Sequence, residues 1–407
     1  MYLGLTNNKN LFLLFLTLAC VSGIGSFFVP ALLCLIIYYV KNRSELKQDI
    51  CSLEKFKTTM FFMILFLGCL LVSWAITGGA EGLKLVRHNF ERMLPFIFVV
   101  IGLAGKGEIK EKLKYILYGS CLGIWIVCFS VLYKIFGLGI ERSTSLLGSV
   151  NILGGTLILI LPFIFAFIIK FRNEKKIFPF VIITSILLLF TLLVIKSRGS
   201  WLGLYVILLV LPLLLYKINQ ISLKKVLLID LLLIVGAAAT YFIFYDSLHR
   251  GYDFVRPGLR VVAWNIFLDY PLAGIGPSNF ISNYTNGNFV NPLAQVNGVW
   301  THAHNIYFKF LSENGILGFS GFIVLVLYQL KILWNSITKA KSIVSIAMFV
   351  AIMGMLAHGW FDVCFSARYY AMTYWLLFGV VLYISYFVEK ENSNNEIKIF
   401  NRGYCNR

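Results

Sequence analysis

The chain has 407 residues, of which 59% are hydrophobic and only 13% charged. A soluble domain carries about 25% charged residues, and a soluble protein of this length would need several charged coats, one per domain. That excludes an ordinary cytosolic enzyme, a disordered chain and a secreted disulfide scaffold, and leaves an all-α polytopic membrane protein. The 36 Lys and Arg outweigh the 18 Asp and Glu, giving a formal charge of +18. These bases lie in short clusters between apolar runs, not on one water-facing patch, so they imply contact with membrane lipids and no nucleic acid. The eight cysteines form no CxxC pair and mostly lie inside apolar runs. They read as small buried hydrophobes.

A membrane-crossing helix needs about 20 mainly apolar residues. Runs of that kind fall near 10–24, 26–40, 58–77, 93–105, 114–137, 150–169, 178–195, 200–216, 226–244, 316–334, 343–360 and 370–388, which predicts about 12 transmembrane helices. Lys9 followed by Leu11–Ala19 imitates a signal peptide, but the apolar run continues, so a retained first helix is expected. With both ends cytoplasmic, the inside segments hold 24 of the 36 bases, in line with the positive-inside rule. The chain then divides into helices 1–9 over 1–244, a long periplasmic loop over 245–315, helices 10–12 over 316–388 and a short polar cytoplasmic tail over 389–407.

The bases left outside are mostly Arg, whereas the inside ones are mostly Lys. Lys suffices as a topology signal, while Arg grips phosphate through two parallel hydrogen bonds. External Arg can also simply snorkel to lipid headgroups. Arg198, in Ser197-Arg198-Gly199-Ser200-Trp201, sits in a tight turn between apolar runs and so at the outer membrane face, where an ionisable group is a functional candidate.

The long loop contains an expected amphipathic helix after Pro257. Leu259, Val262, Ala263, Ile266 and Phe267 follow helical spacing, Arg260 and Trp264 share another face, and Asp269-Tyr270-Pro271 ends the run. A second loop helix is expected to start at Thr301 as N-cap and to stop before Gly315, with His304 in its first turn. The positive end of a helix dipole disfavours imidazolium there, so His304 can serve as a neutral general base. The alternative is a pair of surface histidines, His302 and His304. His-x-His can also bind a metal, but no third ligand is evident, so none is expected. Asp362 and Arg368 share the last external turn and are expected to pair with each other. Lys84 and Arg87 are weaker candidates. No Walker or dinucleotide fingerprint occurs, so no nucleotide cofactor is expected.

Taken together, Ser197-Arg198-Gly199-Ser200-Trp201, Gly258-Leu259-Arg260 with Trp264, Pro271-Leu272-Ala273-Gly274-Ile275-Gly276 and His302-Ala303-His304-Asn305 resemble the bacterial O-antigen ligase and polymerase superfamily. Ligases of that family carry a His followed by Asn, Ser or Gln, then a pair of Gly-type positions at fixed distance. His304-Asn305 followed by Gly315 and Gly318 fits that spacing. Asp362 and Arg368 look like an Asp and an Arg of the family's last external turn. The resemblance implies an enzyme of the bacterial inner membrane with its active site facing the periplasm. It would transfer a polysaccharide from undecaprenyl pyrophosphate to a sugar hydroxyl of the lipid A core, without metal or cofactor and with inversion. It implies His304, Arg198 and Arg260 as catalytic residues. Arg250, Arg256, His302, Asn305, Asp362, Arg368, Lys84 and Arg87 would bind the substrates.

Three other readings remain open at this stage. An O-antigen polymerase uses similar chemistry, though it often places an Arg eleven residues before a Gly in its external loops, which Arg198, Arg250, Arg256 and Arg260 do not match. A protein O-oligosaccharyltransferase usually runs longer. A non-enzymatic lipid-linked sugar transporter should place its charges near the bilayer midplane on broken helices.

Overall fold

The computed structural model describes residues 8–140, 145–243, 255–277, 279–285, 289, 291 and 300–389. Among these residues the regular structure is helical, and the sole β feature is an isolated bridge between Ser145 and Gly148. The helices are α1 Asn8–Ser22, α2 Phe28–Lys41, α3 Arg43–Cys51, α4 Lys57–Thr77, α5 Ala80–Leu103, α6 Ile109–Leu132, α7 Val150–Phe171, α8 Ile177–Val194, α9 Arg198–Lys217 and α10 Leu223–Ile243. They continue with α11 Val255–Asp269, α12 Phe280–Thr285, α13 Ile306–Ala340, α14 Ile343–His358 and α15 Arg368–Ile384. Eight of the helical segments are long and apolar enough to cross a membrane, and three shorter ones, Asn8–Ser22, Gly25–Lys41 and Ile343–His358, are also apolar.

The helices are sorted by what surrounds them. Every residue of α15 from Tyr370 to Ile384 is buried, and α7 is buried over most of its length, so these two are the most enclosed of the helices able to cross a membrane. At the other extreme α10 turns Leu227, Leu228, Leu231, Leu232, Phe242 and Ile243 outwards. A helix that is apolar on all sides yet unpacked suits a hydrocarbon solvent, where only its own backbone bonds need satisfying.

Two expectations change. The run read as a span over 93–105 is the second half of α5, which starts at Ala80. Lys84 and Arg87 therefore project from a helix. The charged first half masks the apolar signal, and the helix continues through Pro95. Gly315 does not end a helix for good. It sits at a kink inside α13, with φ 62° and ψ −162°, between a short segment and a long apolar one.

The kink is filled by the segment after α11. Ile275 N–H donates to Ser312 O at 3.0 Å and Gly276 N–H to Glu313 O at 3.0 Å, which satisfies carbonyls that the break orphans. Ile316 N–H and Leu317 N–H donate to Pro271 O and Leu272 O at 2.8 and 3.2 Å, which satisfies the orphaned donors. A Cβ on Gly315 would stand 2.4 Å from the Leu272 carbonyl carbon, and one on Gly274 2.5 Å from Ser312 O. Both glycines have positive φ, so this close backbone crossing explains Pro271-Leu272-Ala273-Gly274-Ile275-Gly276. Val255, Leu259, Val262, Ala263 and Ile266 of α11 pack with Phe280, Tyr284, Phe289 and Ala303 into a small separate core. Phe267 is only partly buried and lies against Trp264, with ring centroids 5.4 Å apart.

Candidate active site

The site is assembled where helices end. The turn between α14 and α15 carries Asp362, which is buried. Its Oδ2 accepts from Asn151 Nδ2 at 2.5 Å and its Oδ1 from Val363 N–H at 2.8 Å. Two imidazole nitrogens face the same Oδ1, His304 Nδ1 at 3.3 Å and His302 Nε2 at 3.6 Å. Both are buried and neither aligns for a full hydrogen bond with a described group, so the carboxylate attracts them chiefly as a charge. Burial alone would raise the Asp362 carboxyl, but the two imidazoles and the Asn151 amide outweigh it and hold the group well below the usual carboxylate range. Burial also lowers His302 below the ordinary imidazole value, with Asp362 opposing.

The donor atoms of His302, His304 and Asp362 lie within 4.8 Å of one another, a set able to hold a metal ion. The third member comes from a distant turn, which is why the His-x-His pair looks incomplete in the sequence. Both oxygens of Asp362 already accept protein N–H groups, which leaves fewer lone pairs for a cation.

Helix α13 does not begin at Thr301. Its N-cap is Asn305, whose Oδ1 accepts from Tyr307 N–H at 2.9 Å and Phe308 N–H at 3.1 Å. Asn305 is fully buried, and its Nδ2 donates to Trp360 O at 3.2 Å. Its side chain is thus committed to fixing the His304 backbone against the Asp362 turn. Ile306 N–H adds a second tie, to Gly359 O at 2.8 Å. His304 itself lies just before the cap with φ 47°. A left-handed backbone is uncommon for a residue with a side chain, and such positions concentrate at functional sites.

The arginines converge on the same turn by different routes. Arg260, on α11, donates to Trp360 O at 3.2 Å and holds its guanidinium 4.8 Å from the centre of the Trp360 ring. It therefore shares an acceptor with Asn305. Half-burial lowers it from the ordinary arginine value. Arg256 stands 5.8 Å over the Phe361 ring. Arg198 opens α9 and is half-buried. Its neighbour Ser197 donates to Asn151 Oδ1 at 3.1 Å, and a Cβ on Gly199 would meet His358 and Phe361 at 3.1 Å. The Arg198 turn is therefore clamped on the Asp362 turn through Asn151.

Other candidates are placed differently. Asp362 turns to the histidines and Asn151, while the exposed Arg368 lies 5.9 Å over the Tyr369 ring, so the expected Asp362–Arg368 pair is replaced. Lys84 pairs with Glu81, and Arg87 pairs with Glu91 at 3.3 Å. Lys84 lines a cleft of about 220 Å³ that reaches His302, Lys309 and Glu313. Arg250 lies outside the described residues. Sequence reading misses Asn151 altogether. Its only signal is a polar residue two places after the Ser149 cap of α7, at the mouth of an apolar run.

Residues 183–323 match a family model described as O-antigen ligase. The matched stretch runs from α8 into α13 and includes Arg198, Arg256, Arg260, His302, His304 and Asn305. Asp362 and Arg368 lie beyond it. No curated protein matches the chain. The matched family supports an enzyme of the O-antigen ligase or polymerase type, acting on lipid-linked polysaccharide, in a chain with several helices able to cross a membrane.

Proposed function

We propose that this protein is an O-antigen ligase that moves a polysaccharide from undecaprenyl pyrophosphate to a sugar hydroxyl of the lipid A core, at the periplasmic face of the bacterial inner membrane. The observation that carries this reading is the convergence of His304, Arg260 and the Arg198 turn on one short segment, residues 358–362, around a buried carboxylate.

With Nδ1 of His304 turned to Asp362, the proton belongs on Nδ1 and the lone pair on Nε2. Nε2 takes the proton of the acceptor hydroxyl as its oxygen attacks the anomeric carbon. The bond from that carbon to the phosphate oxygen breaks, and its electron pair leaves with the pyrophosphate. Arg198 and Arg260 stabilise the charge that develops there through charge-assisted hydrogen bonds. Asp362 stabilises the imidazolium that forms. One displacement inverts the anomeric centre. The donor's own pyrophosphate bond supplies the driving force, which accounts for a chain without a nucleotide motif.

The test is deletion of the gene and complementation with wild type or His304→Ala, followed by electrophoresis of the lipopolysaccharide. The expected deletion phenotype is a bare lipid A core with accumulated lipid-linked long chains, rescued by wild type and not by the variant. A core carrying one repeat unit would make the protein a polymerase, and full rescue by His304→Ala would remove the base from the mechanism.

A further inference from the structure

The proposed reaction uses one imidazole beside Asp362, and the site holds two. His304 Nδ1 lies 3.3 Å and His302 Nε2 3.6 Å from the same Oδ1 of Asp362, and the three atoms lie within 4.8 Å of one another. Both nitrogens are shut off from solvent, and neither completes a hydrogen bond with a described group. Zn2+ bonds imidazole nitrogen and carboxylate oxygen at about 2.0–2.2 Å, so two ligand atoms on a tetrahedral ion stand about 3.3–3.6 Å apart. The two spacings to Asp362 Oδ1 match the edges of such a tetrahedron and are long for hydrogen bonds.

The surroundings suit an ion as well. Oδ1 spends one lone pair on Val363 N–H at 2.8 Å and keeps a second, while Asn151 anchors Oδ2. Thr301 Oγ1 lies 2.8 Å from His302 Nδ1. A hydroxyl that accepts from Nδ1–H leaves the lone pair of His302 on Nε2, the tautomer a metal needs. The cleft of about 220 Å³ that reaches Thr301 and His302 gives an ion a way in. Lys309 of that cleft is paired with the buried Glu313, which offsets its charge.

Resting on the reading of His304 as general base, we propose that His302, His304 and Asp362 form an inhibitory zinc site. An ion on His304 Nδ1 takes the place of the proton that Asp362 otherwise holds there. The single proton of the ring then sits on Nε2, and no lone pair is left to accept the proton of the attacking hydroxyl. Zinc and catalysis thus compete for one imidazole, and the zinc-free protein is the active one. Two nitrogen ligands favour zinc over Mg2+ and Ca2+, which take oxygen.

The experiment uses the full-length protein in proteoliposomes, stripped of metal by a chelator that is then removed. Binding of Zn2+ is read by competition with a coloured chelator, and the initial rate of transfer is read against free Zn2+. One zinc should bind per chain, transfer should fall with the midpoint of binding, and chelator should restore it. Mg2+ should neither bind there nor inhibit. Loss of an outer-shell partner costs about 10- to 100-fold in metal affinity, so Thr301→Val should weaken zinc binding by that factor and His302→Gln by more. In each variant the midpoint of inhibition, taken against its own zinc-free rate, should move with the affinity. Thr301→Val keeps both imidazoles and tests the site even where His302→Gln unfolds. Binding or inhibition that neither variant weakens overturns the proposal, as does the absence of stoichiometric binding. Loss of transfer on chelation also overturns it, since the metal would then serve the reaction. If one zinc binds through these residues and transfer continues at full rate, the ion site stands, and inhibition falls together with His304 as the base. The same binding in a protein that transfers nothing leaves the site in place and removes the ligase reading.

Discussion

The residue that ties the site together is Asp362, and Asp362→Asn is the sharpest perturbation of it. The introduced amide has the shape of the carboxylate. Its oxygen can still accept from Val363 N–H, which now sits at 2.8 Å. Its nitrogen would oppose Asn151 Nδ2, but the Asn151 amide can flip, because Ser197 Oγ, at 3.1 Å from Asn151 Oδ1, can accept as well as donate. Packing is therefore largely kept, and what disappears is the negative charge 3.3 Å from His304 Nδ1. An interaction with a charged partner contributes about 1.5–3 kcal/mol. At about 1.36 kcal/mol per tenfold in rate, kcat should fall by about 10- to 150-fold with little change in either KM. Asp362→Ala should cost more and differently, since it leaves the Asn151 amide orphaned in a buried place and destabilises the fold by about 1–3 kcal/mol as well. The assay is the initial rate of transfer from lipid-linked polysaccharide to acceptor glycolipid in proteoliposomes, with thermal unfolding followed on the same preparations. An Asp362→Asn protein that unfolds like wild type and transfers within twofold of its rate would refute the role assigned to the carboxylate.

Four further outcomes are expected. Arg198→Lys and Arg260→Lys keep the charge and lose the planar fork, so each should lower transfer by about tenfold or more if it grips pyrophosphate, and wild-type rates with Lys would mark the residue as a headgroup anchor. Gly315→Ala puts a Cβ 2.4 Å from the Leu272 carbonyl carbon at a φ of 62°, and should cost at least about 1–3 kcal/mol, read as a lower unfolding temperature. His302 is held below its usual 6.5 by burial, so its neutral form is what the fold favours. Its stabilisation is complete above 6.5 and is lost as the pH falls from there towards the folded value. The unfolding temperature of wild type should consequently drop more on acidification below 6.5 than that of His302→Gln, and parallel curves would contradict this. Chelation should leave transfer unchanged; loss with chelator and recovery with added zinc would make His302, His304 and Asp362 ligands of a catalytic metal instead.

Much of the fold is legible in the chain because an apolar run and a helix able to cross a membrane are nearly the same object. Both α7 and α10 fall where the runs fall. The first half of α5 escapes this reading because Glu81, Lys84, Arg87, His88 and Glu91 hide a helix that continues unbroken into apolar sequence. The start of α13 escapes it for a different reason. Thr301 and Asn305 are both good caps, and what selects Asn305 is a tertiary bond from its amide to Trp360 O, which no local signal carries.

The candidate site shows the same division. Residue types and spacing point to His304, Arg198 and Arg260, but not to what holds them. The last carbonyls of a helix and the first N–H groups of the next have no partner within their own helices. Here those groups satisfy one another across the bundle: Gly359 O takes Ile306 N–H, and Trp360 O takes both the Asn305 amide and Arg260. Each of these joints also sets a side chain that the proposed reaction needs. His304 is held at a strained φ by the cap that follows it, and Arg198 is carried by the turn whose Ser197 bonds Asn151. A substitution at Asn151, which touches neither proposed substrate, should therefore affect transfer through two routes at once, by loosening Asp362 behind His304 and by freeing the Arg198 turn.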